Sequence, residues 1–143
     1  MNPRRDLFVD TSFFVALANS ADADHQRALA LHAQVRDQSI QKITSEYVLI
    51  ELGDGLSRLS FRPLAHQILA LVRMDRSFAV VPASTSLFEA ALHLFHHRRD
   101  KEWGLTDCTS FVIMQQLSLV AALTADHHFE QAGFQALLRT DSA

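Results

Sequence analysis

The sequence is poor in cysteine, glycine, proline and net positive charge. Its one cysteine, Cys108, excludes an internal disulfide and fits a reducing compartment. Four glycines and three prolines are scattered along the chain, which leaves no linker, repeat or low-complexity tract. Thirteen Lys and Arg stand against sixteen Asp and Glu, for a formal charge of -3. No basic field covers the whole protein, so a nucleic-acid partner has to be held by local patches or through metal ions. No apolar run nears the ~20 residues of a membrane span. The opening MNPRRDLF has two arginines but no long apolar stretch of the signal-peptide kind, so the expected location is cytoplasmic. What is present is a globular composition, 48% hydrophobic and 20% charged over 143 residues. That is about the size of one domain with a full core, here 1–143.

Apolar runs alternate with helix-like segments. Leu7 to Val9 reads as a short buried strand, Asp22 to Val35 as a helix and Gln41 to Thr44 as a second strand. A helix then runs through "SEYVLIELGDGLSRL", capped by Thr44 or Ser45 and weakened near Gly53 and Gly55. Pro63 suits the first turn of the next helix, and "FAVV" (Phe78 to Val81) is a strand closed by Pro82. Ser86 and Glu89 have the spacing of a capping box for a helix reaching about Arg98. Gly104 to Leu117 is helical, and "LVAAL" (Leu119 to Leu123) is a compact strand. A short helix follows Asp126 and ends near Gly133, and "FQALL" is the last strand. Such alternation predicts an α/β protein whose parallel sheet is covered on both faces. Ligands of these sheets bind beyond the carboxyl ends of the strands.

Four carboxylates fall near that edge. Asp10 follows the first strand, Asp126 follows the strand ending at Leu123, and Asp107 sits in the first turn of the preceding helix. Glu51, about two turns past its helix cap, joins them only if that helix leans over the edge. Each has a plainer reading. Asp10 and Asp126 could be helix caps, Asp107 could answer the helix dipole, and Glu51 could face water. Together they would repel one another and raise each other's pKa. An acidic cluster with no basic neighbour in sequence suits a hard divalent cation.

The segments "FVDTSFFVAL", "TSEYVLIEL", "RRDKEWGLTDCTSFVIM" and "LTADHHFEQAGF", in that order and spacing, resemble the PIN domain family and, within it, the VapC-like ribonuclease toxins. The resemblance spans nearly the whole chain. It implies a three-layer α/β/α sandwich around a central, mostly parallel sheet. The implied activity is metal-dependent hydrolysis of RNA phosphodiester bonds by the toxin of a toxin–antitoxin pair. It places the family's four acids on Asp10, Glu51, Asp107 and Asp126, holding one or two Mg²⁺ or Mn²⁺ ions that activate a water for in-line attack. Ser12 takes the place of the family's hydroxyl two residues after the first acid, with Thr124 supporting Asp126. RNA substrate, a small antitoxin and a homodimer are the implied partners. Gly104 departs from a serine common in the family, and Cys108 from an alanine. Neither removes a ligand.

Other readings compete. Arg4, Arg5, Arg98, Arg99 and Lys101 could hold an RNA backbone or be ordinary solvated charges. His93 with His96 or His97 has helical metal-ligand spacing, but no carboxylate or thiolate completes it. "DHH" resembles another phosphoesterase class in three residues only, and "DTS" would need an aspartate at Ser12 to match the haloacid-dehalogenase phosphatases. Cys108 lacks a paired histidine. A catalytically inactive or housekeeping PIN-like module that binds protein or RNA is the alternative function.

Overall fold

The computed structural model describes residues 5–139. In chain order the elements are β1 (Leu7–Val9), α1 (Thr11–Ala18), α2 (His25–Asp37), β2 (Lys42–Ser45), α3 (Glu46–Gly55), α4 (Arg62–Met74) and β3 (Phe78–Val81). They continue with α5 (Thr85–His97), α6 (Leu105–Gln116), β4 (Ala121–Leu123), α7 (His127–Gln131) and β5 (Gln135–Ala136). The five strands form one sheet in the order β3-β2-β1-β4-β5, and every pair is parallel. The register sets Phe8 between Ile43 and Ala122, and Val9 beside Leu123.

The strand order explains where the chemistry collects. From β1 the chain moves outward to β2 and β3, then returns past β1 to β4 and β5. Right-handed crossovers place the outward connections on one face and the returning ones on the other. Accordingly α1 packs on α2 and α4, and α6 packs on α5 and α7. The chain therefore parts to opposite faces after β1 and after β4, which opens a crevice at their carboxyl ends. Asp10 and Thr124 are the first residues past those two strands.

The core follows the sequence pattern. Phe8, Val9, Ile43 and Leu123 are buried, and removing each from water contributes about 1.5–3 kcal/mol. Residues Cys108 through Met114 of α6 are all buried, so this helix runs through the interior. Phe111 meets Phe129 edge-on at 5.0 Å and Trp103 at 4.9 Å. Gly133, at φ 94°, takes the left-handed conformation that ends α7.

Several boundaries differ from the sequence reading. The second helix begins at His25, because Asp22 instead accepts the Asp24 N–H in a tight turn, 2.8 Å. The helix after β2 stops at Gly55. Ser45, not Thr44, caps it by accepting the Val48 N–H at 3.1 Å. Thr44 instead donates to the Val9 carbonyl at 2.9 Å, tying β2 to the end of β1. The proposed capping box at Ser86 and Glu89 does not form. Ser84 is the cap, accepting the Leu87 N–H at 3.0 Å. "FQALL" contributes only two residues of strand.

Candidate active site

Asp10 ends β1 with its side chain only 4% exposed. It holds the N-cap position of α1, but its side chain makes no capping hydrogen bond. Its Oδ2 accepts the Thr124 hydroxyl at 2.9 Å and, at 3.3 Å, the Ser12 hydroxyl. Ser12 Oγ also accepts the Ala125 N–H at 3.0 Å, and Thr124 Oγ1 accepts the Asp126 N–H at 3.0 Å. Two hydroxyls thus lace the loop after β4 to the start of α1.

Burial pushes the Asp10 carboxyl up to about 6. The Thr124 hydroxyl and the Thr11 N–H oppose that shift, while the charges of Asp107 and Glu51 add to it. Asp107 is also raised, by burial first and then by the charge of Asp126. The four acids therefore form one chain of mutual repulsion: Glu51, Asp10, Asp107 and Asp126. Helix α3 touches both α1 and α6, which supplies the lean that Glu51 needs.

The acids are held differently. Glu51 is exposed and tied down by a residue that sequence reasoning missed: the Thr11 hydroxyl donates to its Oε1 at 2.6 Å. Asp107 reaches back so that its Oδ2 accepts the Gly104 N–H at 3.1 Å. This is half of a capping box, and it keeps the glycine-started helix capped. Asp126 caps α7, its Oδ1 accepting the His128 N–H at 2.9 Å. The second missed residue is His128. Its Nδ1 lies 3.1 Å from Asp107 Oδ2 and 3.4 Å from Asp126 Oδ1, so it spans the two acids. The "DHH" stretch was the visible signal. Among the described residues, Asp126, His127 and His128 bring three metal-ligating atoms within 4.8 Å of one another.

Among the described residues, the polar partners of these acids are hydroxyls, backbone amides and histidines, not lysines or arginines. Crowded carboxylates, with Asp10 and Asp107 raised, fit a hard, oxygen-preferring divalent ion. The basic candidates sit further out. Arg98 forks onto Asp100 at 3.1 and 3.2 Å and stacks on Trp103, and Arg5 donates to the Gln38 carbonyl. Arg4 lies outside the described residues. Lys101, 3.7 Å from Asp100, lines a polar cleft of about 250 Å³ together with Asp100, Glu102, His127, His128 and Gln131. Cys108 is buried, and burial raises its thiol to about 11, so it is no nucleophile.

A doubly covered parallel sheet with acids gathered at its switch point defines the class: an α/β domain with an acidic edge site. Residues 7–135 match the PIN domain family, and the chain belongs to that family. It is 32% identical over 128 residues to the 23S rRNA-specific endonuclease VapC20 of Mycobacterium tuberculosis, in both strain CDC 1551 / Oshkosh and strain H37Rv. The match covers 90% of this chain and 95% of that protein. The crystal structure of VapC20, described as a sarcin–ricin loop cleaving toxin, superposes with a TM-score of 0.81 over 90% of this chain and 96% of that one, at 31% identity. VapBC2 from Rickettsia felis, solved on a DNA fragment from its promoter, matches with a TM-score of 0.60 at 16% identity, over 91% and 95% of the two chains. That likeness is one of fold.

Proposed function

We propose that the protein is a metal-dependent endoribonuclease that cuts a structured ribosomal RNA, acting as the toxin of a toxin–antitoxin pair. The observation that carries the reading is Asp10: nearly buried, raised to about 6 and pressed by the charges of two further acids. A divalent cation relieves such a cluster while leaving its carboxylates ionised at neutral pH. The likeness to VapC20 in sequence and structure directs the chemistry to RNA.

Asp10, Glu51, Asp107 and Asp126 would hold one or two Mg²⁺ or Mn²⁺ ions. A bound ion supplies Lewis-acid polarisation of the phosphate and a nucleophilic water near neutral pH. The chain's own groups set the geometry. Thr124 and Ser12 fix the Asp10 carboxylate, Thr11 fixes Glu51, and Gly104 and His128 orient Asp107. Lys101 in the adjoining cleft, paired with Asp100, would have to exchange that partner to meet the RNA backbone. A small antitoxin completes the assignment. A homodimer fits the exposed apolar side chains Ile50, Leu71 and Met74 on α3 and α4.

The test is cleavage of purified ribosomal RNA with Mn²⁺ or Mg²⁺, with and without chelator. Cleavage is expected to need the metal and to fall at least about 100-fold in Asp10→Asn and Asp107→Asn, as for loss of a principal electrostatic stabiliser. Undiminished cleavage by both variants would remove these acids from the chemistry. Metal-free cleavage by the wild type would remove the ion.

A further inference from the structure

The geometry points to a second cation site, built from Asp126, His127 and His128, that takes a borderline transition ion of the Zn²⁺ class. The three residues are consecutive, and the turn into α7 folds both rings back over one carboxylate. His127 Nδ1 and His128 Nδ1 lie 3.7 and 3.4 Å from the same Asp126 Oδ1. Those separations exceed the 2.7–3.2 Å of a good N–H···O hydrogen bond. The His128 separation instead matches the edge between two ligands of a tetrahedral ion, since bonds of about 2.0–2.1 Å place neighbouring ligands about 3.3–3.4 Å apart, and His127 needs to close by only a few tenths of an ångström. The two rings stand 4.4 Å apart, centroid to centroid. His128 Nδ1 is hydrogen-bonded to Asp107 Oδ2 at 3.1 Å, and a Zn²⁺ ion bound at that nitrogen would take the place of the bridging proton.

The donor set decides which ion. Two imidazoles and a carboxylate select Zn²⁺ and its neighbours over Mg²⁺, which prefers all-oxygen coordination. Access is open, because the His127 side chain is 56% exposed and both rings line the polar cleft that also holds Lys101. The site shares Asp126 with the proposed nuclease centre, and His128 touches Asp107. A Zn²⁺ ion here therefore draws two acids out of the arrangement that Mg²⁺ or Mn²⁺ needs, so Zn²⁺ inhibits. That consequence rests on the proposed function, whereas the binding site does not.

The experiment is calorimetric titration of the untagged protein with Zn²⁺, with Co²⁺ absorption as a second readout. One equivalent is expected to bind and to give the visible bands of a low-coordinate N/O site. Affinity is expected to fall at least about tenfold in His127→Ala. It is expected to be unchanged in His93→Ala, which breaks the other close histidine pair, His93 and His97 on α5. Full affinity in His127→Ala, or loss in His93→Ala, overturns the site. Mn²⁺-driven RNA cleavage is then measured with added Zn²⁺. Inhibition that weakens in His127→Ala supports the shared carboxylate, and His127-dependent binding without inhibition overturns it. Zn²⁺ binding that depends on His127, in a protein that cuts no RNA under any metal, leaves this site standing and refutes the nuclease reading.

Discussion

Asp10 titrates near pH 6 in the folded chain against 3.8 for an ordinary aspartate, so its ionisation opposes folding when no cation is present. The sign follows from linkage: a carboxyl raised by folding contributes stability that is complete below the unfolded value and lost as pH climbs through the folded one. The cost at neutral pH is about 3 kcal/mol, at about 1.4 kcal/mol per pKa unit. Asp10→Asn keeps the shape and removes the charge. In chelator it is expected to be more stable than wild type by about 1–3 kcal/mol at pH 8, with the advantage fading toward pH 4. Urea denaturation across pH measures this. A variant no more stable than wild type at pH 8 would mean that the carboxylate is well solvated. Saturating Mn²⁺ is expected to close the gap by stabilising the wild type alone.

At the scale of elements, the starts of α2 and α5 were where the sequence misled, and the ends of β1, β3 and β4 were where it did not. The stretch Ser84, Thr85, Ser86 offers three cap candidates, and Glu89 favoured the last. The choice is made from outside the helix. The Tyr47 hydroxyl accepts the Ser84 N–H at 3.2 Å and donates to the Ser84 carbonyl at 3.0 Å, while Glu46 Oε1 accepts the Ala83 N–H at 2.6 Å. Helix α3 thereby ties residues 83 and 84 and holds Ser84 extended, so α5 begins after it. Ser84→Ala is expected to lower stability by about 1 kcal/mol, and Ser86→Ala by no more than a few tenths. Thermal melts of the two variants tell the caps apart, and equal losses would contradict the assignment.

The acids were legible for the converse reason. Asp10 and Asp126 adjoin buried strands whose apolar residues fix where the strand stops, so their positions follow from pattern alone. Thr11 and His128 were not legible as site residues. Their roles depend on side-chain directions that periodicity does not carry, Thr11 toward Glu51 and the His128 ring between two acids. Pattern alone placed Glu51 only conditionally, because its approach depends on the packing of α3 against α1 and α6.

For the whole molecule, the formal charge of -3 and the clustered acids predict that cations govern both stability and substrate binding. An ion at 100 times its dissociation constant adds about 2.7 kcal/mol, which in a chain of this size raises the melting temperature by roughly 5–10 °C. Mn²⁺ is expected to produce such a rise in the wild type and little of it in Asp10→Asn, as followed by scanning fluorimetry. An equal rise in both would place the stabilising ion elsewhere. The sheet order adds a consequence in time. The central strand β1 pairs on one side with β4, residue 8 against residue 122. Asp10 likewise takes its hydroxyl partner from Thr124, 114 positions later. No nascent fragment ending before Asp126 contains the four acids, whatever else of it has folded. A chain still threaded through a ribosome thus cannot assemble the four-acid site until Asp126 has been made and released, and synthesis itself sets the delay before the site forms.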